Sequence, residues 1–524
     1  MNDDVPLTRR EAREAERAKK PPGEPATEVF PASGVSAATV AIDSTVNASA
    51  EGSTVSKRGG FAAAISKHPK AWMFASMGVI FLLLATASVF TGVAVGSAAS
   101  APVAPVATPT PEPTREVPTE LTAATALRTC SIASLAADPR LLTFAGSVIN
   151  VTTGDVLYDR SATTGASPAS VLKVITAAAA LATVGPSYQF STKVFEGSEP
   201  GSIVLVGGGD PTLSRLPIGS ESVYKGAPKL VDLAAQTKAA WEVNHPGDPI
   251  TKVILDASLW STADKWDPTW DRSEQRDGWH AEVTALMVDG DRDNPQAIQS
   301  RRSDDPIARA GSAFRDAIDL PNSTEVVIWN ATPGLPKLGE VNSQPMSTLI
   351  AQMLDWSDNA IGEQIARIVS LNLDGRGTAS SLSSLIPGII TNYGLDVTGM
   401  VIRDGSGLSA NNLVPPLLMA QLMAKVATGE QGLDVIKVGL PVAGKTGSLR
   451  ARFTGGSEIA RGQVFAKTGW ILTARTLSGF LNASDGSVLS FAFYALGPVK
   501  SNATIALDAV TTGAFTCGNN LSNN

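Results

Sequence analysis

The feature that most constrains this chain is a mostly apolar run, residues 71–95, that contains no charged side chain. A helix rises by about 1.5 Å per residue, so this run is long enough to cross the roughly 30 Å hydrocarbon core of a bilayer. A secretory signal would have a shorter apolar stretch and would lie nearer the N-terminus. We therefore predict one transmembrane helix at residues 71–95, with a buried core helix as the alternative.

The distribution of basic residues predicts the orientation of this helix. Lys57, Arg58, Lys67 and Lys70 precede it, whereas the first basic residue after it is Arg115. Because basic residues are retained on the cytoplasmic side, we predict a single pass through the cell membrane with a cytoplasmic N-terminus. Everything after the helix is then extracellular.

The segments on either side of this run do not have the composition of folded domains. Residues 1–70 are polar and poor in aromatic side chains, which is typical of a disordered tail. Residues 96–124 are rich in proline, which favours an extended, semi-rigid spacer. The globular part is therefore predicted to begin near residue 125.

Composition excludes several classes of function for the globular part. The net charge of −7 is mildly acidic, so there is no basic footprint for nucleic acid. The chain has three histidines, no His-Glu-x-x-His motif and no cysteine pair at metal-binding spacing, so we expect neither a metal nor a cofactor. Cys130 and Cys517 lie at opposite ends of the predicted outer domain. They are either two unpaired buried thiols or one disulfide, which an oxidising compartment permits.

Periodicity in the outer part predicts an α+β domain. Short runs rich in β-branched and aromatic residues are typical of strands, and the apolar, alanine-rich run at residues 170–184 predicts a helix. Strands at both ends of the domain with helices between them favour an antiparallel sheet that helices cover. The predicted strands are residues 144–151, 156–158, 462–468, 476–481 and 488–495.

The first motif of chemical interest is Ser-x-x-Lys, which occurs at Ser170 to Lys173 and at Ser222 to Lys225. The second copy runs into Pro228, which breaks a helix. The first opens the predicted helix, so Ser170 and Lys173 lie one turn apart on one face. There the lysine amine can take the serine proton, and the helix dipole favours the developing negative charge.

Two further motifs follow along the chain. Ser357-Asp358-Asn359 lies in a predicted amphipathic helix at residues 353–368, where alone it reads as an ordinary helix start. Lys-Thr-Gly begins at Lys445 and again at Lys467. Only the copy at Lys467 ends one predicted strand and precedes another, which would place its cation and backbone N–H groups at the rim of a sheet.

In this order, Ser-x-x-Lys, Ser-x-Asn and Lys-Thr-Gly form the active-site signature of penicillin-binding proteins and serine β-lactamases. The chain resembles the low-molecular-mass class C penicillin-binding proteins, which are D-alanyl-D-alanine carboxypeptidases and endopeptidases. Residues 168–173, 207–213, 404–409 and 441–450 are similar to family segments, and the resemblance extends over about residues 145–496.

The resemblance implies a fold and a domain organisation. It implies a penicillin-binding-protein/β-lactamase-like transpeptidase domain, formed by residues 125–185 and 346–524. It also implies an inserted domain at residues 186–345. Ser170 and Ser357 are 187 residues apart (357 − 170). This is shorter than in familiar class C members, so we expect one inserted domain without a further domain inside it.

The resemblance also implies site residues and a mechanism. Ser170 would attack the D-Ala–D-Ala bond of a peptidoglycan peptide, with Lys173 as general base, and β-lactam antibiotics would acylate the same serine. Ser357 would relay a proton, Asn359 would hold Lys173 and the substrate amide, and Lys467 would bind the substrate carboxylate. The remaining residues implied to contact substrate are Thr468, Gly469 and Trp470, with the backbone N–H of Trp470 in the oxyanion hole.

Two positions leave the function partly open. Trp470 stands where the family usually has a small polar residue. Trp270 and Asp271 loosely match an aromatic residue and an aspartate that approach the substrate's amino-bearing side chain in some members, and ordinary core and loop anchoring is their alternative role. One alternative function is a non-catalytic protein that binds or senses the cell wall. A β-lactamase is another, although no water-activating carboxylate is identifiable for it.

Overall fold

The computed structural model describes residues 127–523, which form two five-stranded sheets and the helices that pack on them. The tail, transmembrane helix and spacer predicted for residues 1–124 lie outside the described residues. Between residues 127 and 523, no helix combines the length and apolar character needed to cross a membrane. The predicted α+β fold class is confirmed for this part of the chain.

The first sheet joins the two ends of the described chain and is antiparallel throughout, as predicted. Its strands lie in the order β2-β1-β10-β9-β8, so β8 forms one edge. The strands are β1 (Thr143–Asn150), β2 (Val156–Arg160), β8 (Val464–Ile471), β9 (Ala474–Asn482) and β10 (Val488–Leu496).

Strand β10 shows why this sheet reads as apolar at successive positions. Alternate side chains of a strand point to opposite faces. Phe491 and Phe493 pack in one hydrophobic cluster, whereas Ala492 and Tyr494 pack in another. Because both faces of the strand are buried, hydrophobic side chains occupy successive positions from Phe491 to Tyr494.

The second sheet is formed by residues 191–342, within the segment for which the sequence predicts an inserted domain. It is mixed, because two of its strand pairs are antiparallel and two are parallel, and the sequence did not predict this. Its order is β6-β5-β4-β3-β7. The boundaries of the inserted domain stay a prediction. The strands are β3 (Ser191–Glu196), β4 (Ser202–Val206), β5 (Lys252–Asp256), β6 (Glu325–Ile328) and β7 (Lys337–Asn342).

Eleven α-helices occur between residues 127 and 523, and the predicted helix after Ser170 is among them. They are α1 (Ala133–Ala136), α2 (Lys173–Thr183), α3 (Leu230–Asn244), α4 (Ser273–Arg276), α5 (Pro306–Ala317), α6 (Met346–Trp356), α7 (Asn359–Asp374), α8 (Leu382–Thr391), α9 (Pro416–Thr428), α10 (Asp434–Gly439) and α11 (Ala503–Cys517).

The prediction of one helix over residues 353–368 is wrong, because the chain turns between α6 and α7. Ser357 ends α6 in the left-handed region, with φ of 62°. Asp358 then caps α7, and its side chain accepts a hydrogen bond from the backbone N–H of Ile361. An apolar pattern that continues through both helices gives no sign of this break.

The two ends of the described chain are fastened together. Cys130 and Cys517 form a disulfide with their Cα atoms 5.4 Å apart. The Cys130 N–H also donates to the carbonyl of Asn520 at 3.1 Å, and the N–H of Ser522 donates to the carbonyl of Cys130 at 2.8 Å. The two cysteines are 387 positions apart in the sequence. In the chain-entropy model, closing so long a loop stabilises the folded protein by up to about 5 kcal/mol.

Candidate active site

Ser170 lies in a short 3-10 turn, Ala169–Leu172, that continues directly into α2. Ala169, the residue before it, has a positive φ of 46°, which a residue with a side chain rarely adopts. Ser170 is 3% exposed and Lys173 is fully buried. The serine is therefore held at the N-terminal end of a buried helix, as the motif predicts.

Lys173 brings three distant segments to one point. Its Nζ lies 3.2 Å from Ser170 Oγ, and it donates to Asn359 Oδ1 at 2.7 Å and to the carbonyl oxygen of Ser406 at 2.6 Å. A buried amine needs such partners, because burial without them costs several kcal/mol. The structure thus brings together Ser170, Lys173 and Asn359, which the sequence analysis assigned to one site.

The turn between α6 and α7 positions the second motif. Because Ser357 is left-handed, Asn359 begins a new helix whose first turn points toward Lys173. The amide nitrogen of Asn359 donates to the carbonyl of Trp279 at 3.1 Å, so its oxygen is the atom turned to Lys173.

A loop at residues 404–407 completes the surroundings of Lys173. Glu363, one turn into α7, accepts hydrogen bonds from the N–H groups of Gly405 and Ser406 at 3.1 and 2.7 Å. Gly407 has φ of 81°, and a Cβ there would overlap the carbonyl oxygen of Ala169. The sequence analysis noted this segment only as a family likeness. It missed Glu363 and the Ser406 carbonyl, because a backbone contact leaves no side-chain signature.

The third motif lies on the edge strand β8, beside the nucleophile. Lys467 is fully buried, and its Nζ donates to the carbonyl of Thr468 at 2.8 Å. A Cβ on Gly469 would come within 3.0 Å of Ala169 Cβ, so only glycine allows the strand to approach this closely. Thr476 on β9 donates to the carbonyl of Pro168 at 2.7 Å and fixes the same approach.

The other Lys-Thr-Gly copy lies in a turn, as predicted, and Lys445 is exposed. Its segment nevertheless borders the site, which the sequence analysis did not recognise. The hydroxyls of Ser448 and Thr468 share a hydrogen bond of 2.9 Å.

Trp470 lies against its cross-strand neighbour. Arg475, opposite it in the pairing of β8 with β9, has its guanidinium carbon 4.5 Å from the centre of the Trp470 ring. Arg475 is itself buried. Arg475 therefore covers one face of the Trp470 ring.

The structure gives Trp270 the anchoring role kept as its alternative. Its ring is 4% exposed, packs at 90° against His280 and donates to Asp404 Oδ2 at 2.8 Å. These contacts favour anchoring, and a substrate contact for Trp270 stays a prediction. Asp271 accepts a hydrogen bond from the N–H of Ser273 at the start of α4. A substrate contact for Asp271 stays a prediction.

Buried carboxyl groups shape the electrostatics behind Lys173. Burial and the nearby charge of Asp404 raise the pKa of Glu363 to about 7. Burial also raises the pKa of Asp404. Burial raises the pKa of Asp355, an effect that the charges of Lys467 and Arg450 partly offset. Between residues 127 and 523, no group of His, Cys, Asp or Glu side chains could hold a metal ion.

Comparison with known proteins identifies the family. The model of the D-Ala-D-Ala carboxypeptidase 3 (S13) family matches residues 128–300 and 292–513. The chain belongs to this family. It is therefore a serine-type D-Ala-D-Ala carboxypeptidase, a hydrolase, and the predicted place among the low-molecular-mass class C penicillin-binding proteins is confirmed.

This S13 protein is similar to two carboxypeptidases and to one solved structure. The chain is 32% identical over 454 residues to carboxypeptidase DacB of Mycolicibacterium smegmatis, covering 85% of this chain and 96% of the relative. It is 34% identical over 397 residues to a carboxypeptidase of Mycobacterium tuberculosis, covering 74% and 84%. The crystal structure of penicillin binding protein 4 from Haemophilus influenzae superposes with a TM-score of 0.59 at 20% identity, covering 73% of this chain and 97% of that one, and shows the shared fold.

Glu363 should make the stability of this S13 protein depend on pH. Its carboxyl ionises near 4.5 when unfolded but near 7 when folded, so the folded state holds the extra proton between these values. Its contribution is therefore present below pH 4.5 and is lost as pH rises toward 7. Glu363→Gln keeps an oxygen for both N–H groups and removes the titration. Melting curves should show the variant gaining stability relative to wild type, by up to about 3 kcal/mol, from pH 5 to pH 8. A difference that stays constant with pH would contradict this.

Proposed function

We propose that this S13 protein hydrolyses the terminal D-Ala–D-Ala bond of peptidoglycan stem peptides through an acyl-enzyme on Ser170. The observation that carries the proposal is the buried amine of Lys173, within 3.2 Å of Ser170 Oγ and bound to two carbonyl oxygens. Those oxygens, on Asn359 and Ser406, can only accept hydrogen bonds. A neutral amine can donate to both and use its lone pair for the serine proton.

Acylation then follows as a balanced transfer. Lys173 takes the proton from Ser170 as Oγ bonds to the carbonyl carbon of the penultimate D-Ala. The C–N bond breaks, and the leaving amine of the terminal D-Ala receives a proton that Ser357 relays. Water then cleaves the ester on Ser170 and releases the shortened peptide. A β-lactam would form an ester on the same serine: Oγ bonds to the ring carbonyl carbon, the ring C–N bond breaks, and the nitrogen takes the relayed proton and stays attached to the opened ring.

Binding of the substrate carboxylate is assigned to the edge strand β8. The ammonium of Lys467 and the hydroxyl of Thr468 lie on this strand, next to the nucleophile segment that Gly469 contacts. The backbone N–H groups of Ser170 and Trp470 would receive the oxyanion. The hydrogen bond between Ser448 and Thr468 supports a fixed orientation of that hydroxyl.

The non-catalytic alternative has less support than catalysis. A wall-binding protein has no need to bury a lysine amine between a serine and an asparagine, and doing so costs free energy unless every contact is made. Trp470, which motivated that alternative together with the shortened insert, is stacked against Arg475.

The membrane anchor and the domain boundaries belong to the same proposal. A helix at residues 71–95 would hold the catalytic domain outside the cell, on the proline-rich spacer of residues 96–124. The catalytic domain would comprise residues 125–185 and 346–524, and residues 186–345 would be inserted. The N-terminal 70 residues would remain in the cytoplasm.

Penicillin should acylate Ser170 and no other serine. Ser170→Ala should abolish covalent labelling by a fluorescent penicillin, while the melting temperature stays within a few degrees of wild type. Ser222→Ala is the matched control, because Ser222 belongs to the other Ser-x-x-Lys pattern and is also buried. Mass mapping of the adduct to Ser222, or labelling that survives in Ser170→Ala, would overturn the assignment.

The two Lys-Thr-Gly copies should differ in their effect on turnover. Lys467→Gln removes the charge proposed to hold the substrate carboxylate, and charge-assisted contacts are worth roughly 1.5–3 kcal/mol, about a ten- to hundredfold loss. Lys445→Gln, at an exposed turn, should change turnover of a D-Ala–D-Ala peptide by less than about threefold. The assignment fails if the Lys445 variant is inactive while the Lys467 variant turns over normally.

Protease added to intact spheroplasts tests the proposed topology. It should release the domain after residue 125 and leave residues 1–70 protected, because the basic residues before the apolar run favour a cytoplasmic N-terminus. The protected fragment is detected with an N-terminal epitope tag. Survival of the full-length chain, while a control outer-surface protein is digested, would refute this orientation.

A further inference from the structure

Three side chains form a buried polar cluster beside the site, and no step of the mechanism uses them. Arg292 donates from Nη2 to Asp358 Oδ2 at 2.8 Å and from Nη1 to the hydroxyl of Tyr224 at 2.6 Å. The hydroxyl of Tyr224 donates to the same Oδ2 at 2.9 Å. All three side chains are less than 10% exposed. The contacts close a triangle, so each group fixes the other two.

The cluster joins two parts of the chain. Tyr224 and Arg292 belong to the segment that forms the second sheet, between β4 and β5 and between β5 and β6 respectively. Asp358 belongs to the turn between α6 and α7 and lies between Ser357 and Asn359 in the sequence. The second-sheet segment therefore binds the middle residue of the Ser-Asp-Asn motif through hydrogen bonds and an ion pair.

The two oxygens of Asp358 have separate partners. Oδ1 accepts from the N–H of Ile361 at 3.0 Å and caps α7, whereas Oδ2 is held by Arg292 and Tyr224. The cap fixes the carboxylate relative to the helix that begins with Asn359. The contacts at Oδ2 fix that helix relative to the second-sheet segment.

The backbone next to this carboxylate needs such support. Ser357 has φ of 62°, and a residue with a side chain keeps this conformation only where its surroundings impose it. The N–H groups of Ser357 and Asp358 both bond to the carbonyl of Met353. The side chain of Asp358 then anchors the other side of the turn.

Electrostatic attraction strengthens the contact between Asp358 and Arg292. Burial opposes ionisation of Asp358, but the positive charges of Arg292 and Arg302 outweigh it and hold the pKa of this carboxyl well below its ordinary value. Removing one partner would leave a buried charge without compensation. The lowered pKa therefore favours the ionised form of Asp358, which attracts Arg292.

We propose that Arg292 and Tyr224 are positioning residues for catalysis, which act through Asp358 to hold Ser357 in its left-handed turn and Asn359 against Lys173. The inference rests on the proposed function, because it needs Ser357 and Asn359 to act in acylation. It assigns the second-sheet segment a task in the reaction itself. A loosened turn would misplace the proton relay while leaving the carboxylate-binding strand β8 intact, so kcat should fall more than KM rises.

The test compares conservative variants of the cluster with a matched ion pair elsewhere. Asp358→Asn keeps an oxygen that can cap the helix but loses the charge. Tyr224→Phe removes one hydroxyl. Arg292→Met removes the positive charge, whereas Arg292→Lys keeps it. Arg452→Met is the control, because Arg452 forms a similar buried pair with Asp508 on α11, at 2.6 Å, and neither residue belongs to a motif. Each variant is assayed for penicillin acylation rate, for kcat and KM on a D-Ala–D-Ala peptide, and for melting temperature.

Asp358→Asn and Arg292→Met should lower kcat and the acylation rate at least tenfold, with KM changed less than about threefold. Arg292→Lys should recover part of that loss, and Tyr224→Phe should lose less than either. Arg452→Met should lower the melting temperature while kcat stays within twofold of wild type. Normal kcat in the folded Asp358→Asn and Tyr224→Phe variants would overturn the inference. So would losses no larger than those of Arg452→Met at the same melting temperature.

The same measurements separate this inference from the proposed function. If Ser170→Ala abolishes acylation and the cluster variants react normally, the positioning role alone fails. If Ser170→Ala is still acylated, the proposed site itself is wrong, whatever the cluster variants do.

Discussion

The burial of the Lys173 amine is the constraint on which the rest of the structure depends. Its contacts reach Ser170 in the same turn, Asn359 at the start of α7 and the carbonyl of Ser406 in a loop. These positions are far apart in the sequence, so the fold must bring three segments within about 3 Å of one nitrogen. Alanines surround this point for a physical reason. Ala177 to Ala180 on α2 are fully buried, and small side chains let other elements approach the helix from all sides.

Helix α7 links the surroundings of Lys173 to the segment between β5 and β6. It buries several polar side chains beside apolar ones such as Ile361 and Ile365, and three of these polar side chains contact other segments. Glu363 holds the loop of residues 404–407, Gln364 donates to the carbonyl of Thr284 at 2.8 Å, and Arg367 donates to the carbonyl of Asp264 at 2.9 Å. The last two partners lie in the segment between β5 and β6. Helix α7 thus buries polar side chains together with its apolar ones, and the polar contacts align two parts of the protein.

The parts of this fold that the sequence predicts are those governed by local rules. Short runs rich in β-branched and aromatic residues predicted the strands of the first sheet, and the alanine-rich run predicted α2. The order of the three motifs predicted which serine, lysine and asparagine share a site, because the chemistry requires side chains of those types. The context of each Lys-Thr-Gly copy predicted that one lies on a strand and the other in a turn.

What the sequence did not predict depends on the backbone or on distant partners. The left-handed turn at Ser357 contains no glycine that would indicate it, so the apolar pattern of residues 353–368 predicted one continuous helix. The Ser406 carbonyl could be any residue's carbonyl. Trp270 matched a substrate-facing residue by type, yet its indole N–H is used by Asp404, a partner 134 residues away. The parallel pairs of the second sheet join consecutive strands that are separated by long stretches of chain, and no local pattern reveals such a pairing.

The bond between Cys130 and Cys517 has a consequence for how this enzyme can be damaged. It turns residues 130–517 into a closed ring, with Ser170 on one side of any exposed loop in the middle of the chain and Lys467 on the other. A single proteolytic nick in such a loop opens the ring but does not separate its halves. Both halves of the active site remain one covalent molecule, and both remain attached to whatever holds the N-terminal end. A nicked copy would therefore keep both halves in one molecule, whereas nothing covalent would join the halves of an unlinked copy.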